Sequence, residues 1–306
     1  MTPASKEETI LFIVGPTAIG KTTLAVKLAR RIHGEVISCD SMQVYKGMRI
    51  LSQAPSASER IRIKHHLIGF LDPKEEYSAA MFREKAVRLI NAMIKRKKIP
   101  IIVGGSGLYV KALIDGLFPS PKRDMAFRTR MHDFVVKYGT VRLHARLARI
   151  DPEAAARIHP NDARRIIRAL EIYNSTGHTM SELKLKTTGL MGKYHIKIFG
   201  LTAPREIIYS NIDSRLDRMF RKGVVKEAAR LKDAALSITA RSVLGLKEIF
   251  GYMNGEYDLE TAKELTKTNT RRFAKRQLTW FRADKRIQWF DVSRVSEKEI
   301  IKDIIV

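Results

Sequence analysis

GPTAIGKT, residues 15–22, decides the fold of this chain. Its members are Gly15, Pro16, Thr17, Ala18, Ile19, Gly20, Lys21 and Thr22. The stretch follows an apolar run, residues 10–14, and precedes a helical pattern that carries Leu24, Leu28 and Ile32. A G-x-x-x-x-G-K-T spacing between a strand and a helix is the full pattern of a phosphate-binding P-loop. We therefore predict an α/β fold, a P-loop NTPase-like parallel sheet flanked by helices.

The chemistry of the P-loop points to a di- or triphosphate. Consecutive backbone N–H groups at a helix N-terminus can surround an anion, and Lys21 adds a positive charge. The Thr22 hydroxyl can ligate Mg²⁺, so we predict Mg²⁺ as a cofactor with Thr22 as its ligand. The loop by itself leaves open whether the phosphate is an energy source, a transferred group or a leaving group.

Composition restricts the class of protein. The chain has 306 residues, with 57 Lys and Arg against 32 Asp and Glu, a formal charge of +25. Such an excess favours a polyanionic partner, most simply nucleic acid, although a well-solvated basic surface is the alternative. The single cysteine, Cys39, excludes an internal disulfide. No apolar run reaches the length of a membrane span, so we expect a cytoplasmic protein that does not enter membranes.

The pattern of segments predicts two domains. We assign residues 1–119 and 193–306 to a catalytic core and residues 120–192 to a mostly helical, Arg-rich insertion. Periodicity predicts the helices and strands of the core. Strands after the first are expected at 35–39, 100–103, 194–201 and 286–291, and long helices at 78–98, 204–232 and 259–282. The pair His65–His66 lacks a third ligand nearby, which favours a hydrogen-bonding role over a metal site.

Asp40 is the candidate acid of the site. It comes directly after the strand at 35–39, and the carboxyl ends of parallel strands face one crevice, so Asp40 should lie beside the P-loop. The alternative is an Asx-turn without chemistry. The strand at 100–103 ends in Gly104-Gly105, where an ATP-driven motor needs a Mg²⁺-holding acid. These features favour group transfer to an acceptor that Asp40 deprotonates or orients.

The insertion carries a cluster of arginines. Arg164, Arg165 and Arg168 lie near one another on a predicted helix, with Ile166 and Ile167 available for packing. Arginines in this setting indicate phosphate or base-stacking contacts, against the alternative of a solvated helix face.

Together these motifs resemble the tRNA dimethylallyltransferase family. The resemblance rests on GPTAIGKT, DSMQVY at 40–45, HHL at 65–67, GGSGLY at 104–109, and a late AKRQ-x-TWF at 274–281. It covers nearly the whole chain in the expected order. Ile19 replaces a common Ser, Ser106 a common Thr, and Leu246 a usual Tyr.

The resemblance implies a reaction. Dimethylallyl diphosphate is the donor, the acceptor is N6 of the adenosine immediately 3′ of a tRNA anticodon, and pyrophosphate leaves. The target base must flip out of the anticodon stem-loop to reach the crevice. The family implies catalytic roles for Thr17, Asp40 and Arg215.

The resemblance also implies binding residues. Gly15 to Thr22 and Arg215 would hold the diphosphate. Contacts with tRNA are implied for Asp40, Ser41, Met42, Gln43, Ser106, Arg164, Arg165, Ile166, Ile167 and Arg168. We expect a monomeric, bacterial-type enzyme.

Two alternatives stay open. An isopentenyltransferase that modifies free adenine nucleotides would share the P-loop and Asp40. An ATP-driven nucleic-acid-binding protein without transfer chemistry belongs to a different class.

Overall fold

A parallel sheet forms the centre of the protein. The computed structural model describes residues 8–55, 61, 63–118, 121 and 123–305. The strands are β1 Thr9–Val14, β2 Gly34–Ser38, β3 His65–His66, β4 Ile99–Gly104, β5 His195–Thr202 and β6 Ile287–Asp291. They form one six-stranded sheet in the order β3-β2-β4-β1-β5-β6, with every neighbouring pair parallel. The predicted α/β fold is confirmed.

Helices account for most of the remaining described chain. They are α1 Lys21–Arg31, α2 Ala79–Lys95, α3 Gly107–Ile114, α4 Met125–Tyr138, α5 Thr140–Ile150, α6 Pro152–Arg157, α7 Ala163–Thr176, α8 Met180–Leu185, α9 Arg205–Arg221, α10 Val224–Ala229, α11 Ile238–Arg241, α12 Leu246–Met253, α13 Leu259–Arg282 and α14 Glu297–Ile305. No helix within the described residues is both long enough and apolar enough to cross a bilayer.

The middle of the sheet is apolar on both faces. Residues 10–14 of β1 are fully or almost fully buried, as expected for a central strand covered by helices on both sides. In register, Val14 of β1 pairs with Gly104 of β4, and Ser38 of β2 pairs with Val103. The carboxyl ends of β1, β2 and β4 therefore meet at one edge of the sheet, where ligands bind in open α/β folds.

Three features differ from the predicted elements. The helix expected over 204–232 is two helices, α9 and α10, because Gly223 adopts a left-handed φ of 87° that interrupts the first. Strand β3 is only two residues long, which is too short for a periodicity signal, so the sheet has one more strand than predicted. Helix α14 was not predicted; its buried Ile300, Ile301 and Ile304 give it an apolar face.

The chain divides into two compact units, Met1–Leu113 with Leu190–Val306, and Ile114–Gly189. The predicted boundary between 119 and 120 falls outside the described residues. The second unit contains α4 to α8 and has its own apolar core, which includes Leu143, Leu147 and Ile166. Each unit can thus bury apolar surface by itself.

Candidate active site

The P-loop joins β1 to α1 at the carboxyl edge of the sheet. No side chain caps the N-terminus of α1, where Gly20 is the N-cap residue. The first N–H groups of a helix have no intrahelical acceptor, and they attract an anion through the helix dipole. Ala18 has a φ of 63°, an unusual value for a residue with a side chain that often marks a functional turn. This geometry suits a bound phosphate group.

Lys21 is held over the P-loop. Its Nζ donates a hydrogen bond to the carbonyl oxygen of Pro16 at 2.6 Å. Burial, together with the neighbouring positive charge of Arg215, lowers the pKa of Lys21 to about 7, while the Asp40 carboxylate acts in the opposite direction. An anion bound beside Lys21 would restore the usual protonated state.

Arg215 of α9 reaches the P-loop from the side. Its Nη1 donates to Thr17 Oγ1 at 3.1 Å, and its Nη2 donates to the carbonyl oxygen of Gln53 at 3.3 Å. The chain before Gln53 is fixed by Glu227, whose carboxylate accepts the N–H groups of Ile50 and Leu51 at 2.7–3.0 Å. The guanidinium is therefore preorganised at the loop that carries Thr17.

Asp40 follows β2 and lies at the same cavity as Lys21. Its Oδ1 accepts the Met42 N–H at 2.8 Å, which is the Asx-turn contact that the alternative interpretation required. Burial raises the pKa of Asp40, although this hydrogen bond and the charges of Lys21 and Arg215 act against the rise. Asp40 thus both shapes its turn and presents a carboxylate of increased basicity to the cavity.

The glycine turn after β4 explains the missing acid. A Cβ atom on Gly104 would lie 2.0 Å from the carbonyl oxygen of Cys39, so no side chain fits there. The next turn residue with a side chain, Ser106, accepts the Ser41 N–H on its Oγ at 3.2 Å. The turn therefore supports the Asp40 segment and supplies no carboxylate.

A cavity of about 610 Å³ joins these groups. The predicted site residues that line it are Thr17, Ala18, Ile19, Gly20, Lys21, Thr22, Asp40, Met42, Gln43 and Arg215. Four others belong to its supporting segments, namely Gly15, Pro16, Ser41 and Ser106. The Gln43 side chain is fixed by Ser38, whose Oγ donates to Gln43 Oε1 at 2.9 Å.

Helix α13 supplies a wall that the sequence motifs did not assign to the site. Thr270, Phe273 and Gln277 all line the cavity. Gln277 contacts the P-loop directly, because its Oε1 accepts the Thr17 N–H at 2.9 Å. The late AKRQ-x-TWF motif contains Gln277, and helical spacing places Phe273, just before the motif, on the same face as Gln277. Leu246, the departure at the usual Tyr, is 1% exposed and packs in the core.

The predicted tRNA contacts of α7 separate into two groups. Arg164 and Arg165 are exposed. Ile166 and Ile167 are 0% and 3% exposed in the core of the insertion. Both side chains therefore hold the helix in place, as the packing pattern indicated, and the assignment of Ile166 and Ile167 to tRNA binding stays a prediction.

Arg168 takes part in an internal ion-pair cluster. It pairs with Glu171, which is 0% exposed, and its Nη2 donates to the carbonyl oxygen of Pro121 at 3.1 Å. Arg128 donates to the same carboxylate at 2.8 and 2.7 Å. Burial opposes ionisation of Glu171, but the hydrogen bonds from Arg128 and Arg168 lower its pKa to about 2. Arg168 thus has a structural role, and its contact with tRNA stays a prediction.

The paired histidines form hydrogen bonds, as predicted. His66 Nε2 lies 2.8 Å from Glu35 Oε2, and His65 Nδ1 lies 2.7 Å from the carbonyl oxygen of Ile63. Over the part of the chain that the structure describes, no group of three His, Cys, Asp or Glu side chains could hold a metal ion.

The lowered pKa of Lys21 predicts pH-dependent binding of inorganic pyrophosphate. Above pH 7 the free protein holds Lys21 increasingly neutral, and binding must protonate it. Between pH 7 and 9 the contribution of Lys21 to pyrophosphate affinity should therefore fall, by up to about tenfold per pH unit. Calorimetry in buffers of different ionisation enthalpy should detect proton uptake. Lys21→Arg should remove the uptake; an unchanged uptake would contradict this origin.

Known proteins similar to this chain belong to one family and match most of its length. The family model described as IPP transferase matches residues 43–284. A tRNA dimethylallyltransferase of Halothermothrix orenii is 44% identical over 299 residues, covering 97% of this chain and 91% of that protein. The Carboxydothermus hydrogenoformans protein of the same name is 45% identical over 300 residues, covering 97% and 96%.

Solved structures agree in fold. The full-length tRNA isopentenylpyrophosphate transferase of Bacillus halodurans superposes with a TM-score of 0.72 at 42% identity, covering 98% of this chain and 94% of that chain. A eukaryotic dimethylallyltransferase acting on tRNA superposes with a TM-score of 0.79 at 28% identity, covering 97% and 78%. With the P-loop, Asp40 and Arg215 around one cavity, these matches show that the chain belongs to the tRNA dimethylallyltransferase family, the IPP transferases.

Proposed function

We propose that this protein transfers a dimethylallyl group from dimethylallyl diphosphate to N6 of the adenosine immediately 3′ of a tRNA anticodon, releasing pyrophosphate. The observation that carries the proposal is the position of Asp40, which lines one cavity with Lys21 and Arg215. A phosphate-binding half and an acceptor-side carboxylate thus face the same space. Membership of the family supports this assignment.

The P-loop binds the leaving group in this reaction. The new bond joins N6 to the allylic carbon, and the bond that breaks joins this carbon to the diphosphate oxygen. Negative charge then grows on the departing pyrophosphate. Four groups around the P-loop can stabilise this charge: Lys21, Arg215, the Thr17 hydroxyl and the N–H groups at the start of α1. Donors held in position before the reaction lower its barrier effectively.

Asp40 takes the proton that N6 loses. A base is most effective when its pKa approaches the working pH, and burial moves the pKa of Asp40 upward from its usual value. Met42 holds one carboxylate oxygen through its N–H, which orients the carboxylate. Asp40 therefore has a fixed position and increased basicity at the acceptor side.

Mg²⁺ fits the chemistry of this cavity as an ion that the diphosphate oxygens would bind. Thr22 lines the cavity beside Lys21, and Mg²⁺ usually takes few protein ligands while keeping water and phosphate oxygens. We infer that Thr22 holds the ion together with the diphosphate. The ion would supply positive charge to the leaving group.

The tRNA supplies the acceptor. An adenine stacked in a loop cannot reach a carboxylate inside a cavity, so the base must flip out, with Met42 and Gln43 at the lining of its pocket. Arg164 and Arg165 are exposed on α7 and are suited to the phosphates of the anticodon stem-loop. We propose that the enzyme works as a monomer in the cytoplasm.

Neutralising Arg164 and Arg165 should weaken tRNA binding. The double change Arg164→Gln and Arg165→Gln removes two exposed charges and should reduce the salt slope of log K by about 0.7–0.9 per lost phosphate contact. Titrations of labelled tRNA at several salt concentrations measure the slope. Arg30→Gln with Arg31→Gln, two exposed arginines of α1, is the matched control. An unchanged slope in the α7 variant would assign Arg164 and Arg165 to a solvated surface.

Transfer of labelled dimethylallyl groups separates the candidate functions. The proposal predicts label on an anticodon stem-loop and none on AMP, ADP or ATP. Preferential labelling of a free nucleotide would instead assign a nucleotide isopentenyltransferase. RNA-stimulated ATP hydrolysis without prenyl transfer would overturn the proposal and assign an ATP-driven nucleic-acid-binding protein.

A further inference from the structure

We propose that Gln277 is a positioning residue that ties the P-loop to the glycine turn after β4. It thereby fixes the position of the P-loop, the donor half of the site, relative to the Asp40 segment, the acceptor half. Its side-chain amide is the physical link. Oε1 accepts the Thr17 N–H at 2.9 Å, and Nε2 donates to the carbonyl oxygen of Gly105 at 3.0 Å. The residue is 7% exposed, so water offers little substitute for either bond.

The two partners of Gln277 match the donor and the acceptor of an amide side chain. The Thr17 N–H can only donate, and the Gly105 carbonyl can only accept, so their linker must provide one acceptor and one donor. This requirement also fixes which end of the Gln277 amide is oxygen. A Cβ on Gly105 would lie 2.0 Å from Nε2, so the turn is glycine where the amide reaches it. Leucine could fill the space of Gln277 but would leave both partners unpaired.

The bond to Thr17 affects the donor half. Because the Thr17 N–H is already bound to Gln277, the polar group that Thr17 can turn toward a diphosphate is its hydroxyl. That hydroxyl accepts a hydrogen bond from Arg215 at 3.1 Å. Loss of the Gln277 bond would free the Thr17 backbone and disturb the contact between its hydroxyl and Arg215.

The bond to Gly105 affects the acceptor half. The adjacent Ser106 accepts the Ser41 N–H on Oγ at 3.2 Å and donates its own N–H to the Cys39 carbonyl at 3.3 Å. Cys39 and Ser41 flank Asp40 in the chain. A shift of Gly105 would therefore be transmitted to both sides of Asp40.

Gln277 touches no reacting atom in this scheme, and its effect is exerted through Thr17 and Asp40. The inference rests on the proposed prenyl transfer for its rate effects but not for its effect on anion binding. Misplacing reacting groups by about 1 Å can cost on the order of a hundredfold in rate. Gln277→Leu should therefore slow single-turnover transfer by about tenfold to a hundredfold.

The conservative variant Gln277→Glu gives a readout that a purely structural role would not produce. A protonated Glu can accept from Thr17 and donate to Gly105, whereas the ionised form can only accept. The rate of this variant should fall as the pH rises, with an additional inflection that the wild type lacks. Thermal unfolding recorded over the same pH range separates this effect from loss of the fold.

The experiment compares wild type, Gln277→Leu, Gln277→Glu and the exposed control Gln288→Leu. It measures single-turnover transfer, the Kd for inorganic pyrophosphate and the melting temperature. We expect weaker pyrophosphate binding in Gln277→Leu, the pH inflection in Gln277→Glu, and wild-type behaviour in Gln288→Leu. Wild-type rate and pyrophosphate affinity in a folded Gln277→Leu, or a Gln277→Glu without the inflection, would overturn the inference.

The pyrophosphate measurement keeps the two proposals separate. If the wild type transferred no prenyl group, the proposed function would fail, while weaker pyrophosphate binding by Gln277→Leu would still support the link to the P-loop. If the wild type transferred the prenyl group and a folded Gln277→Leu matched it in both rate and pyrophosphate affinity, the link would fail alone.

Discussion

Replacing Asp40 by Asn is expected to slow single-turnover transfer by about 10²–10⁴, the usual contribution of a positioned general base. The reason is that the amide side chain would keep an oxygen for the Met42 N–H but could not take a proton from N6. The affinity for tRNA should stay close to that of the wild type, because replacing the Asp40 carboxylate by a neutral amide removes no contact with an RNA phosphate. Rapid-quench transfer at saturating donor, paired with tRNA titrations, measures both quantities.

The control for this change is Asp233→Asn, which alters an exposed aspartate far along the chain. Its transfer rate should match that of the wild type. A near-normal rate for Asp40→Asn would show that Asp40 only forms its Asx-turn. A large loss of tRNA affinity would instead assign Asp40 to substrate binding.

Replacing Arg215 by Gln should lower the transfer rate by about 10²–10³, the effect of removing one preorganised donor from a developing anion. The variant loses the charge beside the P-loop as well as the hydrogen bonds to Thr17 and Gln53. It should also bind pyrophosphate more weakly, whereas its affinity for tRNA should change little. Calorimetry with pyrophosphate and single-turnover transfer test the two effects separately.

Arg221→Gln is the matched control on the same helix, since Arg221 is exposed near the end of α9. It keeps the helix and removes an equal charge. Equal losses of rate in the two variants would show a general effect of net charge. That result would contradict a specific contact between Arg215 and the leaving group.

Local patterns in the sequence predicted the parts of the fold that depend on local physics. The structure confirms the strand and the helix predicted on either side of the P-loop, which are β1 and α1. It also confirms the helix predicted over 259–282, which is α13, because apolar periodicity directly reflects burial. Strand β3 pairs only two residues with β2, so its formation depends on a distant neighbour. Gly223 ends a helix whose apolar pattern continues beyond it.

The residues of the site also differ in how far local sequence patterns predict them. The motif residues of the P-loop and Asp40 were identifiable because chemistry at a strand end has a local signature. Gln277 lies 260 positions from Thr17 in the chain, and no periodicity predicts which backbone groups a distant amide will join. The burial of Ile166 and Ile167 was within reach of helical geometry, since their side chains face the same apolar core as Leu170.

Site-resolved mass spectrometry of tRNA after incubation with this protein and dimethylallyl diphosphate tests the proposed prenyl transfer directly. Prenyl transfer at this site predicts that the adenosine immediately 3′ of the anticodon gains the mass of one dimethylallyl group. Fragmentation should place this group on N6, and one pyrophosphate should be released for each modified base. Unmodified tRNA, or a dimethylallyl group on a different base or atom, would contradict it.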